Sequence, residues 1–160
     1  MRSTMLVAAL VMGFLTTESL AADLHWRIYE DTDFGCVLDY PAALFRPGPS
    51  NPDEPRRFSS KSADVYFRIQ GVENANGWTP QAIREQYLSA DMPGDVTYDR
   101  TRSDFVVLSG YRGESIFYTK VAVSTDRSSA CVFEITYPRE QKKAFDRIVT
   151  RMSRSLRSLN

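Results

Sequence analysis

The sequence of 160 residues has few of the residue types on which most catalytic and metal sites depend. It contains one histidine, His25, and two cysteines, Cys36 and Cys131. A serine hydrolase needs a histidine base beside its nucleophile, and a structural zinc site needs clustered cysteine and histidine ligands. Cys-x-x-Cys pairs, phosphate-binding glycine loops and a Gly-x-Ser-x-Gly motif are also missing. We therefore predict a protein that is not an enzyme and that uses no cofactor.

Long apolar runs are lacking too. The one near the start, residues 5–15, has about 11 residues, whereas a membrane-spanning helix needs roughly 20. Arg2 precedes this run, and Ser19 and Ala21 follow it at positions that suit signal peptidase. We therefore predict a signal peptide over residues 1–21 and a single domain over residues 22–160, periplasmic or secreted, with no transmembrane anchor. Cleavage after Ala22 is the alternative.

An excess of charge of either sign is absent. Lysine and arginine together number 20, as do aspartate and glutamate, so the formal net charge is +0. Proteins that bind nucleic acid usually carry a clustered basic excess. The balance therefore argues against a nucleic-acid partner.

The two cysteines predict one disulfide bond. Exported proteins meet an oxidising compartment, in which paired cysteines usually form a structural bridge. Cys36 alternates with Phe34 and Leu38, and Cys131 alternates with Phe133, so both thiols should point into one apolar layer. We predict a Cys36–Cys131 bridge, which requires that the second and the last strand lie close together.

Alternating apolar and polar residues predict a series of short strands. The first two, over residues 24–29 and 34–40, should form a hairpin, and residues 47–55, rich in proline and polar residues, should form a loop. Turns are predicted at residues 102–104, 110–113 and 125–129. The connections are too short for crossover helices, so the pairing should be mainly antiparallel. The other predicted strands cover residues 56–60, 64–70, 96–98, 105–109, 115–123 and 130–137.

Two helices are predicted. Thr79 can cap the first, and Pro80 suits its first position. The second should run from Arg139 to about Leu159, with an apolar stripe for docking and a basic opposite face. That face could contact a membrane or an anionic partner, but it is also what any solvated outer face requires, and the second interpretation is the simpler one.

Short motifs at the ends of the predicted strands resemble those of a known superfamily. They are Tyr29-Glu30-Asp31, Phe34-Gly35, Asp39-Tyr40-Pro41, Val107-Leu108-Ser109-Gly110 and Thr136-Tyr137-Pro138. With the order of elements, they resemble the PsbP-like superfamily, and within it small secreted proteobacterial proteins of unknown function. The resemblance implies an α+β fold, an α/β/α sandwich around a mainly antiparallel sheet. It also implies a binding role and supplies no catalytic residues.

The remaining candidate sites are a metal site and a groove. If the mature chain begins at Asp23, His25 is its third residue and can close a square-planar copper or nickel site with the amino terminus. Aromatic residues could line a ligand groove, although most should pack in the core: Tyr66, Tyr98, Tyr111, Tyr118 and Trp78.

We predict a non-enzymatic domain that binds a protein or envelope partner. The expected contact surface is the sheet face or rim that the helices leave uncovered, with the loop of residues 47–55 beside it. The alternatives are a periplasmic immunity protein that neutralises a toxin and, less favoured, an envelope hydrolase.

Overall fold

The computed structural model describes residues 24–51, 54–62, 64–90 and 94–159. Within these residues the chain forms ten strands, two α-helices and one 3₁₀ turn, Arg139–Gln141. The helices are α1 (Pro80–Ser89) and α2 (Lys142–Ser155). The strands are β1 (Trp26–Asp31), β2 (Cys36–Pro41), β3 (Phe45–Pro47), β4 (Arg56–Ser60), β5 (Tyr66–Glu73), β6 (Asp95–Thr101), β7 (Phe105–Arg112), β8 (Ser115–Val123), β9 (Ser129–Pro138) and β10 (Arg157–Ser158).

A sheet of seven strands forms the centre of the described fold. Its spatial order is β3-β4-β5-β9-β8-β7-β6, and each neighbouring pair is antiparallel. The last long strand, β9, lies between β5 and β8 at the middle. Its residues alternate between the two faces, because successive side chains on a strand point in opposite directions. Cys131, Phe133 and Ile135 therefore belong to one core, and Ala130 and Val132 contact the other.

Helix α1 covers one face of this sheet. The Thr79 side chain accepts a hydrogen bond from the Ala82 amide at 3.2 Å, and Pro80 occupies the first turn, so the predicted capping is confirmed. Ile83 is buried against Val106, Leu108 and neighbouring aliphatic side chains of β7, β8 and β9. This smaller core fixes α1 over that end of the sheet.

Helix α2 and a second, smaller sheet cover the opposite face. The apolar stripe of α2 is buried as predicted, with Phe145, Ile148, Val149 and Met152 in the larger core. The smaller sheet has the order β1-β2-β10, and β1 and β2 form the predicted hairpin. Helices lie on both faces of a mainly antiparallel sheet, so the predicted α/β/α architecture is confirmed.

The hairpin turn packs directly on the main sheet at a glycine. A Cβ atom on Gly71 would overlap the Phe34 side chain, so only glycine fits beneath that ring. Asp31 accepts hydrogen bonds from the Asp33 amide at 2.9 Å and from the Gly71 amide at 3.2 Å. These contacts hold the turn against β5.

Three predicted boundaries are wrong. Helix α2 spans residues 142–155 instead of 139–159, because Leu156 is extended and residues 157–158 pair with β2. The predicted turn at residues 110–113 begins too early, since Gly110 lies inside β7 and pairs with Phe117 of β8. Strand β3 was not predicted, and its residue Pro47 lies within the segment assigned to a loop.

The proposed signal peptide, residues 1–21, lies outside the described residues. Across the part of the chain that the structure describes, no helix is long and apolar enough to cross a membrane.

Candidate functional site: a tyrosine groove beside the second helix

A groove of about 440 Å³ runs between α2 and the outer strands β6, β7 and β8. Four tyrosines line it, one from each of four adjacent strands: Tyr98, Tyr111, Tyr118 and Tyr137. We call this feature the tyrosine groove. The wall on the helix side consists of Lys142, Asp146, Val149 and Thr150.

The strand register explains why these rings meet. Ser109 of β7 pairs with Tyr98 of β6 on one side and with Tyr118 of β8 on the other. One step along, Ile116 of β8 pairs with both Tyr111 and Tyr137. Cross-strand partners share a face of the sheet, so the four tyrosines form two adjacent rows on the face that carries α2.

The groove is open because α2 is narrower than the sheet. The helix lies mainly over β9 and over β2 of the smaller sheet, and it reaches β8 through the contacts of Ser153 with Tyr118 and Lys120, so β6 and β7 lie beside it. Tyr98, on the outermost strand, is 48% exposed, whereas Tyr137, on the central strand, is 4% exposed. The exposure of the tyrosine rings therefore decreases across the groove, from the edge strand to the centre of the sheet.

Hydrogen bonds fix the floor of the groove. The hydroxyl groups of Tyr118 and Ser153 share a hydrogen bond of 2.6 Å between the sheet and α2. Ser109 donates from its hydroxyl to the carbonyl oxygen of Phe117 at 2.8 Å. The groove is consequently formed in advance of any ligand, because its floor is tied to two rigid elements.

The buried hydroxyl groups of the groove stay protonated at neutral pH. Burial, with a smaller contribution from nearby Asp146, raises the pKa of Tyr137 to about 12. Burial also raises the pKa of Tyr118, against the opposing effect of the hydrogen bond with Ser153. A neutral phenol donates and accepts hydrogen bonds but is a poor general base at pH 7. This chemistry suits recognition.

A glycine shapes the outer wall. The pairing of β6 with β7 shifts between Val96 and Tyr98, which is a bulge of the edge strand. Opposite this bulge, a Cβ atom on Gly110 would overlap the backbone carbonyl of Asp95. The absence of a side chain at Gly110 therefore allows β6 to lie where Tyr98 reaches the groove.

Positive charge surrounds the groove. The Arg139 guanidinium lies 4.1 Å from the centroid of the Tyr111 ring, and Arg100 lies two residues beyond Tyr98 on the same face of β6. The Lys142 ammonium is 2.8 Å from an Asp146 carboxylate oxygen. Lys120 is buried and donates to the Ser153 carbonyl oxygen at 2.7 Å, and burial lowers its pKa.

The sequence had suggested five aromatic residues for a possible groove, and the structure separates them. Tyr98, Tyr111 and Tyr118 come together in the tyrosine groove. Tyr66 instead lies on β5 beneath Arg57, whose guanidinium is 3.9 Å from its ring centroid. Trp78 precedes α1 and is 40% exposed. Tyr137 and the residues of α2 were not predicted as part of the groove.

The other predicted site residues lie elsewhere. The Cα atoms of Cys36 on β2 and Cys131 on β9 are 5.6 Å apart, and both residues are fully buried. This separation is within the range for a disulfide bond. His25 precedes β1, and the amino terminus that the predicted copper site needs would be at Asp23, which lies outside the described residues, so that site stays a prediction. No cluster of three or more His, Cys, Asp or Glu that could hold a metal ion occurs in the described part.

Two solved structures, among others, are similar to this fold. The solution structure of cyanobacterial PsbP (CyanoP) from Synechocystis sp. PCC 6803 has a TM-score of 0.62 at 12% identity and covers 90% of this chain and 98% of its own. The structure of the Saccharomyces cerevisiae Ran-binding protein Mog1p has a TM-score of 0.55 at 8% identity. The match covers 83% of this chain and 95% of Mog1p. Comparisons with family models and with curated proteins gave no match. The chain therefore shares the PsbP-like fold.

Proposed function

We propose that this protein is a non-enzymatic binding domain of the cell envelope whose tyrosine groove holds a segment of a partner protein. One observation carries the proposal: rings of three strands, Tyr98, Tyr111 and Tyr118, line a single open groove. Buried tyrosines are among the residues that most often dominate the binding energy of protein interfaces. Their rings supply a large contact area, and their hydroxyl groups supply hydrogen bonds.

The shape and rigidity of the groove support a peptide-like ligand. A preformed groove needs little reorganisation on binding, and this lowers the free-energy cost of association. The floor is fixed by the hydrogen bond between Tyr118 and Ser153, whereas Tyr98 at the outer edge is half exposed. A partner segment would cover that ring and remove it from water. One solved structure with this fold is described as a Ran-binding protein, which is compatible with such a role.

The chemistry of the groove supports binding more than catalysis. An envelope hydrolase would need carboxylates that converge on one position, but Asp146 is the only Asp or Glu among the residues that line this groove, and it is paired with Lys142. Histidine and cysteine do not occur in that lining. We expect purified residues 22–160 to show no turnover of ester, peptide, phosphate or glycan substrates.

The compartment is part of the proposal. The order of Arg2, the apolar run and the small residues at Ser19 and Ala21 supports export, and the Cys36–Cys131 pair at bonding distance is compatible with an oxidising environment. N-terminal sequencing of the exported protein should give a chain that starts at Ala22, with a minor form at Asp23. Recovery of a chain that still starts at Met1 from the periplasm would contradict this assignment.

Affinity capture with paired variants tests the groove. Residues 22–160 of the wild type, of Tyr98→Ala/Tyr111→Ala and of Tyr66→Ala serve as baits for a periplasmic extract. Tyr66 is the matched control, because it is a tyrosine of the same sheet that lies outside the groove. We expect a partner that the wild type and the control retain and that the double variant loses, with affinity weakened by about 30-fold or more. Equal capture by all three baits would contradict the proposal.

The genes that neighbour this one distinguish the proposed role from the immunity-protein alternative. A partner that proves to be a toxin encoded beside this protein would make the groove an inhibitory surface. A structural envelope protein would support the favoured role.

A further inference from the structure

The C-terminal segment carries a concentrated positive charge in a chain that is neutral as a whole. Residues 139–157 contain seven Lys or Arg against two Asp or Glu, a net of +5, whereas the full chain has 20 of each sign. The rest of the chain therefore carries −5. Such segregation creates a field of one sign over one face of the molecule.

Much of this charge has no internal carboxylate partner. On this face, ion pairs join Lys142 to Asp146 at 2.8 Å and Arg151 to Asp39 at 3.6 Å. Within the described residues, Arg147 and Arg154 form no ion pair, and both are exposed on α2. They lie beside Thr150, which also lines the tyrosine groove, so the basic surface of α2 is continuous with that groove.

The opposite wall repeats the same charge. Arg100 lies on the groove face of β6, with its guanidinium 6.0 Å from the centroid of the Phe105 ring. Of the two acidic residues of that strand, Asp99 faces α1 and is bound there by Arg84, whereas exposed Asp95 pairs with Tyr111 at the end where Arg139 lies. At the near end, Arg139 lies over Tyr111. Cations therefore border the groove on both walls and at one end, and Asp146 is neutralised by Lys142.

We propose that the segment held in the tyrosine groove is acidic. This inference rests on the proposed function and names the chemistry of its ligand: an extended stretch of a partner protein rich in Asp and Glu, with apolar or aromatic side chains between them. Carboxylates would meet Arg100, Arg139, Arg147 and Arg154, and the intervening side chains would contact the tyrosine rings. Arginine is well suited to this task, since its planar group binds a carboxylate through two hydrogen bonds.

The dimensions set the length of the segment. From Lys142 to Arg154 the helix advances about 18 Å at 1.5 Å per residue. An extended chain advances about 3.3 Å per residue, so five or six residues span the groove together with the basic surface of α2 that continues from it.

An acidic protein segment fits this surface better than an anionic membrane does. A helix that lies on a membrane inserts large apolar side chains from the face that it presents. The exposed large apolar residues of the described chain are spread over other elements and over the groove: Ile28, Trp78, Leu88, Tyr98 and Leu159. The basic face of α2 carries none of them, and the tyrosines lie in a concave groove.

Selection from random 12-residue peptides displayed on phage tests the inference. The baits are residues 22–160 of the wild type, a charge-reversed variant, Arg147→Glu/Arg154→Glu, and a control, Arg46→Glu/Lys61→Glu. The control has the same change in net charge, but its exposed substitutions lie on β3 and in the turn after β4. We expect peptides enriched on the wild type and the control to have a negative mean charge. For synthetic copies, the affinity should fall about tenfold or more in the charge-reversed variant and with added salt.

Each other result overturns the inference in a recognisable way. Enriched peptides without negative charge that Tyr98→Ala/Tyr111→Ala loses would leave the groove as a binding site and refute its acidic ligand. Equal loss in both charge variants would show a non-specific charge effect. If no peptide is enriched and phosphatidylglycerol vesicles bind the wild type but not Arg147→Glu/Arg154→Glu, the surface recognises lipid, and the inference is wrong.

Discussion

Removal of the predicted Cys36–Cys131 bridge is the most quantitative test of how the smaller sheet is attached to the main sheet. The pair joins β2 to β9 across the larger core, with Cα atoms 5.6 Å apart and a sequence separation of 95 residues. In the chain-entropy model, a closed loop of this length stabilises the folded state by about 4–5 kcal/mol, because it restricts the unfolded chain. Residual structure in the unfolded state makes this an upper figure.

The double variant Cys36→Ser/Cys131→Ser should therefore fold and unfold more easily. A loss of about 4 kcal/mol lowers the melting temperature of a domain of this size by roughly 10–20 °C. Urea titration and calorimetry on residues 22–160 measure the change. Reduced wild type is the matched control, since it opens the loop without placing a hydroxyl group in the fully buried positions of the two cysteines.

Thiol titration shows whether Cys36 and Cys131 are bonded in the protein. The denatured, unreduced wild type should expose no reactive thiol. Two reactive thiols per chain would refute the bridge itself. A bridged protein that loses less than about 1 kcal/mol on reduction would refute the entropy argument.

Three further substitutions or conditions test the description of the fold. Thr79→Ala should cost about 1 kcal/mol in urea titration, since the amide that the Thr79 hydroxyl caps loses its partner, and Thr79→Ser should restore most of it. Gly110→Ala should displace the edge strand β6, visible as shifts of the Val96 and Tyr98 amides in NMR spectra, and unchanged shifts would contradict the close approach to Asp95. Above pH 10, stability should fall towards pH 12, because the unfolded chain ionises Tyr137 before the folded one does, and Tyr137→Phe should flatten this slope.

Features that depend on neighbours in sequence could be predicted. The cap of α1 needs only Thr79 and Pro80, and the alternation around Cys36 and Cys131 was enough to place both in one apolar layer. The apolar stripe of α2 was recognised for the same reason. The local pattern gave a wrong prediction where strands pair across a large sequence separation. Residues 157–158 follow a helical period in the sequence but pair with β2.

The groove could be predicted only in part. Tyr66 and Tyr98 both occur in short alternating segments, and local sequence does not show which strand lies at the edge of the sheet. That distinction depends on the pairing of β5 with β9 and on β6 being last in the order. The contribution of Tyr137 also depends on its register with Ile116, and the wall of α2 depends on where that helix docks.

The central position of β9 has a consequence for how the chain folds. Strands β3 to β5 and β6 to β8 can each pair with close neighbours in sequence, but within the main sheet these two groups meet across β9, where Tyr66 pairs with Thr136 and Glu73 with Ser129. Contacts between distant residues form slowly, because the chain entropy is lost before they stabilise anything. Half-sheets that formed before β9 was in place would have open edges at β5 and β8, and such edges favour aggregation. The main sheet therefore cannot be completed until β9, in the C-terminal part of the chain, pairs with both β5 and β8.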